Sequence, residues 1–259
     1  MTARRALVTG SSRGIGAAIA RALAGSGHRV AVHCRADTTA AGAVAASLPA
    51  AAGLPGGGHA VVTGDIADPR QAADLVGAAV AALGGIDVLV NNAGVYAHQP
   101  IDATSYQDWQ ASWRRIVDTN VHGAANVTWC VTDHLLGRPA GPAGARIICV
   151  GSRGAYRGEP TAPAYGAAKA ALHAMAQSLA VALAPHGIAV AAVAPGFAST
   201  EMAESVLSGP DGDAIRAQSP FGRVAEPDEV ASAVAWLASP AAVRASGAVI
   251  DLNGASYLR

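Results

Sequence analysis

Short runs of Val, Ala and Ile alternate along the chain with longer stretches whose apolar residues recur at helical spacing. The strand-like runs are Ala6–Thr9, Val30–Cys34, His59–Thr63, Val88–Asn91, Arg146–Gly151, Ile188–Ala194 and Ala248–Leu252. Helical patterns lie between them, near Ile15–Gly27, Thr39–Ala52, Pro69–Leu83, Tyr106–Leu136, Pro163–Pro185 and Pro227–Ala238. The strands are apolar along their length rather than alternating, which predicts a parallel sheet buried between two helix layers. With right-handed crossovers this becomes a doubly wound α/β sheet of about seven strands with helices on both faces. No break in composition divides residues 1–259, so a single domain is expected. Leu54–Gly58 and Gly137–Gly144 read as surface loops. Residues 200–223, which include Ser208-Gly-Pro-Asp-Gly-Asp213, are the least strand-like part and read as a substrate loop over a site.

Composition narrows the function. Of 259 residues, 51% are hydrophobic, and most of these are Ala and Val, which suit close packing of helices on a sheet. Eighteen basic and 18 acidic side chains cancel. There is no basic run interleaved with aromatics, which argues against nucleic acid and anionic membrane surfaces as partners. No apolar run approaches about 18 residues and no signal-peptide pattern opens the chain, so the expected location is cytoplasmic. Cys34, Cys130 and Cys149 lack CxxC spacing and sit in apolar surroundings, as buried reduced thiols do. No histidine has metal-ligand spacing with a second ligand on one helix face, so no metal is expected.

Lys169 is the only lysine among those 18 basic residues. Arginine does not lose its proton in a protein, whereas lysine responds to its surroundings. Tyr165 lies four residues earlier, so the two share a helix face. An ammonium beside a phenol is expected to lower the phenol pKa and make a usable acid/base catalyst. An ordinary amphipathic helix with one leftover lysine is the plainer account of the pair.

The turn Thr9-Gly-Ser-Ser-Arg-Gly-Ile-Gly16 follows the first strand and opens the first helix. Glycines there let backbone approach a pyrophosphate at a helix N-terminus, as in a Rossmann-type nucleotide-binding unit. Its spacing departs from G-x-G-x-x-G, and no phosphoryl-transfer P-loop is present. The second strand ends His33-Cys34-Arg35, with no acid until Asp37. Arg35, with Arg13 in the glycine turn, suits a 2′-phosphate and points to NADP(H) over NAD(H). The competing account makes Arg35 a solvated strand end and gives the ribose to Asp37.

Taken in order, these motifs resemble the short-chain dehydrogenase/reductase family, and in particular its 3-oxoacyl-carrier-protein reductase-like members. The resemblance rests on Thr9–Gly16, on Gly64-Asp65-Ile66, and on Asn91-Asn92-Ala93-Gly94. It extends through Asn120 in Asp-Thr-Asn-Val, Ser152 placed 13 residues before Tyr165, Tyr165-x3-Lys169, and Pro195-Gly196 with Thr200. It implies that Tyr165 moves the proton, Lys169 lowers the Tyr165 pKa and holds the nicotinamide ribose, and Ser152 orients the substrate oxygen. Asn120 would hold a relay water. The plainer alternatives are that Ser152 ends the fifth strand and Asn120 satisfies backbone where a helix bends. Gly10, Ser12, Arg13, Gly14, Ile15, Gly16, Arg35, Asp65, Ile66, Asn92, Ala93, Gly94, Tyr165, Lys169, Pro195, Gly196 and Thr200 are the implied cofactor contacts. The implied reaction interconverts a carbonyl and a secondary alcohol of a small molecule, a β-ketoacyl thioester or related oxo compound in the first place. A sugar or polyol dehydrogenase, a secondary-metabolism ketoreductase and a silent NADP(H) sensor are the alternatives. A homotetramer, or a dimer, is implied by the C-terminal elements. Asn253-Gly254-Ala255 stands where the family usually shows Asp-Gly-Gly. Arg153, Tyr156, Arg157 and Glu159 are expected to edge a polar substrate pocket, His98 to sit on a surface loop, and Trp109, Trp113 and Trp129 to serve packing or subunit contact.

Overall fold

The computed structural model describes residues 4–50 and 58–259. Seven strands form one parallel sheet: β1 (Arg5–Val8), β2 (Arg29–Cys34), β3 (Ala60–Thr63), β4 (Val88–Asn91), β5 (Arg146–Val150), β6 (Ala189–Pro195) and β7 (Val249–Leu252). Their order is β3-β2-β1-β4-β5-β6-β7, with Leu7 of β1 level with Ala31 of β2 and Leu89 of β4. The order reverses between β1 and β4. A crevice opens outside the carboxyl ends of the strands at such a reversal, and ligands bind there in open α/β sheets.

The helices are α1 (Gly14–Gly25), α2 (Thr38–Ser47), α3 (Pro69–Leu83), α4 (Tyr106–Val117), α5 (Ala124–Leu136), α6 (Gly154–Arg157), α7 (Pro163–Leu183), α8 (Glu201–Leu207), α9 (Gly212–Arg216) and α10 (Pro227–Ala238). One face of the sheet packs on α3, α5 and α7 through Leu75, Val131 and Leu172, the other on α1, α2 and α10 through Ile19, Val44 and Val234. Alanines on α1 (Ala17, Ala20) and α10 (Ala231, Ala238) let helix and sheet approach closely. Each fully buried Leu or Ile, such as Leu7 or Ile147, contributes about 1.5–3 kcal/mol.

The structure matches the pattern of seven strands to within a residue or two, and departs from it in the helices. The stretch expected as one helix over Tyr106–Leu136 contains a π-helical turn, Asp118–Gly123, between α4 and α5. Its apolar spacing survives that turn, so periodicity alone did not reveal it. Residues 200–223 hold the short helices α8 and α9 rather than plain loop. The helix expected over Thr39–Ala52 ends at Ser47, and its last two residues lie outside the described residues. The loop Leu54–Gly58, apart from Gly58, also lies outside them. Cys34 and Cys149 are buried free thiols, whereas Cys130 is only half-buried.

Candidate active site

The turn from β1 into α1 is a tight cradle. Gly10 (φ 61°) and Gly14 (φ 54°) occupy the left-handed region that glycine adopts without strain. A Cβ at Gly10 would lie 2.8 Å from Ala93 Cα, and one at Gly16 would lie 2.3 Å from Gly10 O. The Asn-Asn-Ala-Gly turn after β4 is locked to this cradle. Asn92 Nδ2 donates to Thr9 O (2.9 Å) and Gly10 O (3.0 Å), while Thr9 Oγ1 accepts the N–H groups of Asn92 and Ala93. His33 ties in two more segments. Its Nδ1 accepts the Gly10 N–H (2.9 Å), so Nε2 is the nitrogen that donates to Gly64 O (2.9 Å). Burial lowers its pKa and keeps the ring neutral.

These features fit a dinucleotide. Arg13 at the N-cap of α1 supplies no side-chain cap, and no acid stands in the first turn. The first N–H groups and the positive end of the helix are therefore left for an anion. Farther along, Arg35 is exposed at the end of β2. Asp37 is occupied: its Oδ1 accepts the Ala40 N–H at 2.9 Å and caps α2. That removes the main support for Asp37 as a ribose ligand. Arg13 behaves differently from the expectation that it faces a phosphate together with Arg35. Its guanidinium reaches Glu201 at the start of α8, 3.4 Å away, with both side chains largely exposed. Such an exposed pair is weak and opens easily.

The fifth and sixth strands and α7 supply the reactive groups. Ser152 follows β5, and its Oγ accepts the Gly154 N–H at 3.0 Å. Tyr165 lies in the first turn of α7 and lines the same cleft as Ser152, with Tyr96 edge-on to its ring at 5.3 Å. Lys169, one turn later, is buried and donates from Nζ to Val150 O at 2.8 Å. That Nζ lies over the Tyr165 ring, 5.6 Å from its centre.

The electrostatics correct one expectation. Burial pushes the Tyr165 phenol up to about 12, and the Ser152 hydroxyl only partly offsets this. Lys169 does not bring it down. Burial lowers the lysine itself to about 8, and its ammonium points at a carbonyl rather than at the phenol oxygen. Tyr165 is thus a neutral phenol near pH 7.

A cleft of about 410 Å³ gathers Ser152, Tyr165, Lys169 and every one of the expected cofactor contacts into a single lining. Asn120 is not part of that lining. It is buried in the π-turn, with Oδ1 accepting the Val95 N–H (2.8 Å) and Nδ2 donating to Val95 O (2.9 Å). Its amide supports the loop after β4, and its neighbour Thr119 reaches the cleft instead. Of the four polar residues between Ser152 and Tyr165, Arg153 and Glu159 line the cleft. Tyr156 turns away, stacked between His173 and the Arg259 guanidinium. His98 is exposed, outside the lining. Trp109 and Trp113 pack on each other at 5.9 Å, and Trp129 is exposed. The sequence reading missed His33 and Tyr96. The available signal for His33 was a polar residue inside the fully buried run Arg29–Cys34.

Residues 4–211 match the profile of the short chain dehydrogenases. The chain is 36% identical to a 3-oxoacyl-[acyl-carrier-protein] reductase of Synechocystis, covering 98% of this chain and 97% of that one. It is 35% identical to an acetoacetyl-CoA reductase of Shinella zoogloeoides, covering 98% of each. The crystal structure of a short chain dehydrogenase from Burkholderia cenocepacia in complex with NADP superposes with a TM-score of 0.84. Its identity is 33%, over 98% of this chain and 97% of that one.

Proposed function

This chain belongs to the short-chain dehydrogenase/reductase family, and on that premise we propose that it is an NADP(H)-dependent reductase of a small oxo compound. As a member of that family it is an oxidoreductase acting on CH–OH and C=O groups. The observation that carries the finer reading is the convergence of Ser152, Tyr165 and Lys169 in the same cleft as the glycine cradle. β-Ketoacyl thioesters are the substrate class of the reductases to which the chain is similar and enter as one of two candidate classes. Glu159 in the cleft wall favours a second class, keto-sugars and hydroxy ketones.

Bound dihydronicotinamide supplies the hydride. The protein's own part is to hold the carbonyl oxygen and deliver a proton to it. The Ser152 hydroxyl, oriented by the Gly154 N–H, hydrogen-bonds the substrate oxygen. As hydride adds to the carbonyl carbon, the π pair moves onto oxygen. Tyr165 then gives its hydroxyl proton to that oxygen, leaving a secondary alcohol and a phenolate. A phenol held protonated is ready for this direction, whereas alcohol oxidation needs the phenolate first. The Lys169 ammonium, 5.6 Å from the centre of the Tyr165 ring, offsets the phenolate charge until a proton returns from solvent. Arg35 takes the 2′-phosphate that distinguishes NADPH from NADH. The test follows NADPH absorbance with ketones, β-ketoacyl thioesters and keto-sugars, and compares KM for NADPH and NADH. Turnover with a lower KM for NADPH is expected. Tight NADPH binding with no turnover of any carbonyl would replace the reductase by a sensor.

A further inference from the structure

Three acids line the cleft, and their surroundings differ. Asp65 accepts the Ala67 N–H at 3.0 Å, and Glu201 pairs with Arg13. The Glu159 carboxylate accepts no hydrogen bond among the described residues, although the residue is only partly exposed. It is carried by the turn from α6 to α7 and folds over two glycines of those helices. A Cβ at Gly154 would lie 2.5 Å from Glu159 Oε1, and one at Gly166 would lie 3.7 Å from Glu159 Cβ. Gly166 directly follows Tyr165, so the missing side chains create a slot for this carboxylate beside the proton donor. Glu159, Tyr165, Tyr96 and Ser152 all line this one cleft.

We propose that Glu159 is a specificity residue: it accepts a hydrogen bond from a substrate hydroxyl one or two carbons from the reacting carbonyl. The preferred substrates are then hydroxy ketones and keto-sugars rather than plain ketones or acyl chains. The inference rests on the carbonyl-reductase reading above. An apolar substrate that displaces water from this wall leaves an acceptor unpaired, and a site built around such a group rejects the analogue lacking the donor. Arg153 and Arg157 act on Glu159 from nearby while their own hydrogen bonds go to Gln218 and Ser256, so a neutral hydroxyl is a fitting donor where a second cation would meet like charge. Burial raises the Glu159 pKa while the two arginines oppose that rise, in keeping with an acceptor that is not solvated as at a free surface.

The test compares hydroxyacetone with butanone, ketones of equal size that differ in a hydroxyl against a methyl, together with erythrulose and an acetoacetyl thioester. The enzyme is expected to favour hydroxyacetone over butanone by about 10-fold or more in kcat/KM. Glu159→Leu should collapse that ratio at least fivefold, with Glu159→Gln intermediate. A purely structural role would lower both substrates together and leave the ratio unchanged, which overturns the proposal. So does a wild-type preference for the thioester that Glu159→Leu does not alter, although that result leaves the reductase reading intact. If no carbonyl compound is reduced, the reductase reading fails and the inference falls with it. Should Glu159→Leu lose its thermal transition, the near-isosteric Glu159→Gln carries the same comparison.

Discussion

The two ends of the sheet use buried charge in opposite ways. At the amino end, Asp87 sits before β4 and takes hydrogen bonds from Arg5 Nε (2.8 Å), Arg5 Nη2 (2.9 Å) and Arg138 Nη1 (2.6 Å). Burial pushes this carboxyl up, but the hydrogen bonds from Arg5 and Arg138 outweigh it and hold it at about 2. The neighbouring arginines close helix ends: Arg29 donates to Ala82 O and Leu83 O of α3, and Arg4 donates to Ala238 O of α10. These carbonyls have no partner within their own helices, so the guanidiniums satisfy them and complement the negative helix end. At the carboxyl end, Lys169 has one carbonyl partner and, among the described residues, no carboxylate, and burial lowers its pKa to about 8. Charge stabilises the fold at one end. At the other it costs stability and remains available for chemistry, as strained or unpaired groups at functional sites do.

That contrast can be broken by experiment. Replacing Tyr165 by Phe removes only the hydroxyl, and kcat should fall at least 100-fold with the melting temperature unchanged, since general acid catalysis supplies about 10²–10⁴. Retention of more than a tenth of the turnover would sink the proposed proton donor. Lys169→Met should be inactive yet more stable, by about 2 kcal/mol at pH 7, in denaturant unfolding. The folded lysine gives up its proton more readily than the unfolded one. Its penalty is therefore full below about pH 8 and disappears as pH approaches 10.5, so wild type and variant should converge there. A variant no more stable than wild type at neutral pH would remove the cost assigned to this end.

Asp87→Ala should do the reverse, losing about 2 kcal/mol of stability while kcat of the folded enzyme stays within a factor of two. The folded carboxyl pKa lies below the unfolded one, so its contribution is present above about pH 4 and is lost as pH falls through about 2. Arg35→Ala should raise KM for NADPH about 10-fold and leave NADH nearly unaffected, the size expected for one charge-assisted contact. Equal changes for both cofactors would detach Arg35 from the 2′-phosphate. The smallest effect is expected at Ala255, the one non-glycine residue at positive φ (58°) among those described. Ala255→Gly should relieve strain and raise stability by about 0.5–1 kcal/mol in thermal unfolding.

The strands were legible because a parallel sheet buried on both faces needs unbroken runs such as Val88–Asn91 and Arg146–Gly151. The cleft was legible because glycines and the Ser152, Tyr165 and Lys169 spacing are local features of the chain. What escaped was set by long-range geometry. Spacing put Lys169 beside Tyr165, but only the fold shows that Val150 O accepts its hydrogen bond and that burial dominates both pKa values. Asn120 could be placed on a helix, whereas its Val95 partner comes from a loop 25 residues earlier. Ala255 was visible as a departure from the family's usual glycine, and its backbone strain was not.

The π-turn at Asp118–Gly123 has a consequence for how this helix can vary. A π-turn accommodates one more residue than the α-helical turn it replaces, so it acts as a one-residue phase slip in a long rod. Upstream, the rod presents Ile116 to the Tyr165-bearing helix; downstream, it presents Val127 and Val131 to the sheet. Deleting a single residue here would restore an ordinary α-helical turn with the two flanking faces still in phase, and would remove the widened turn from which Asn120 reaches Val95. The segment is thus a vernier: its length, more than its composition, keeps Asn120 pointed at the loop that borders the cleft.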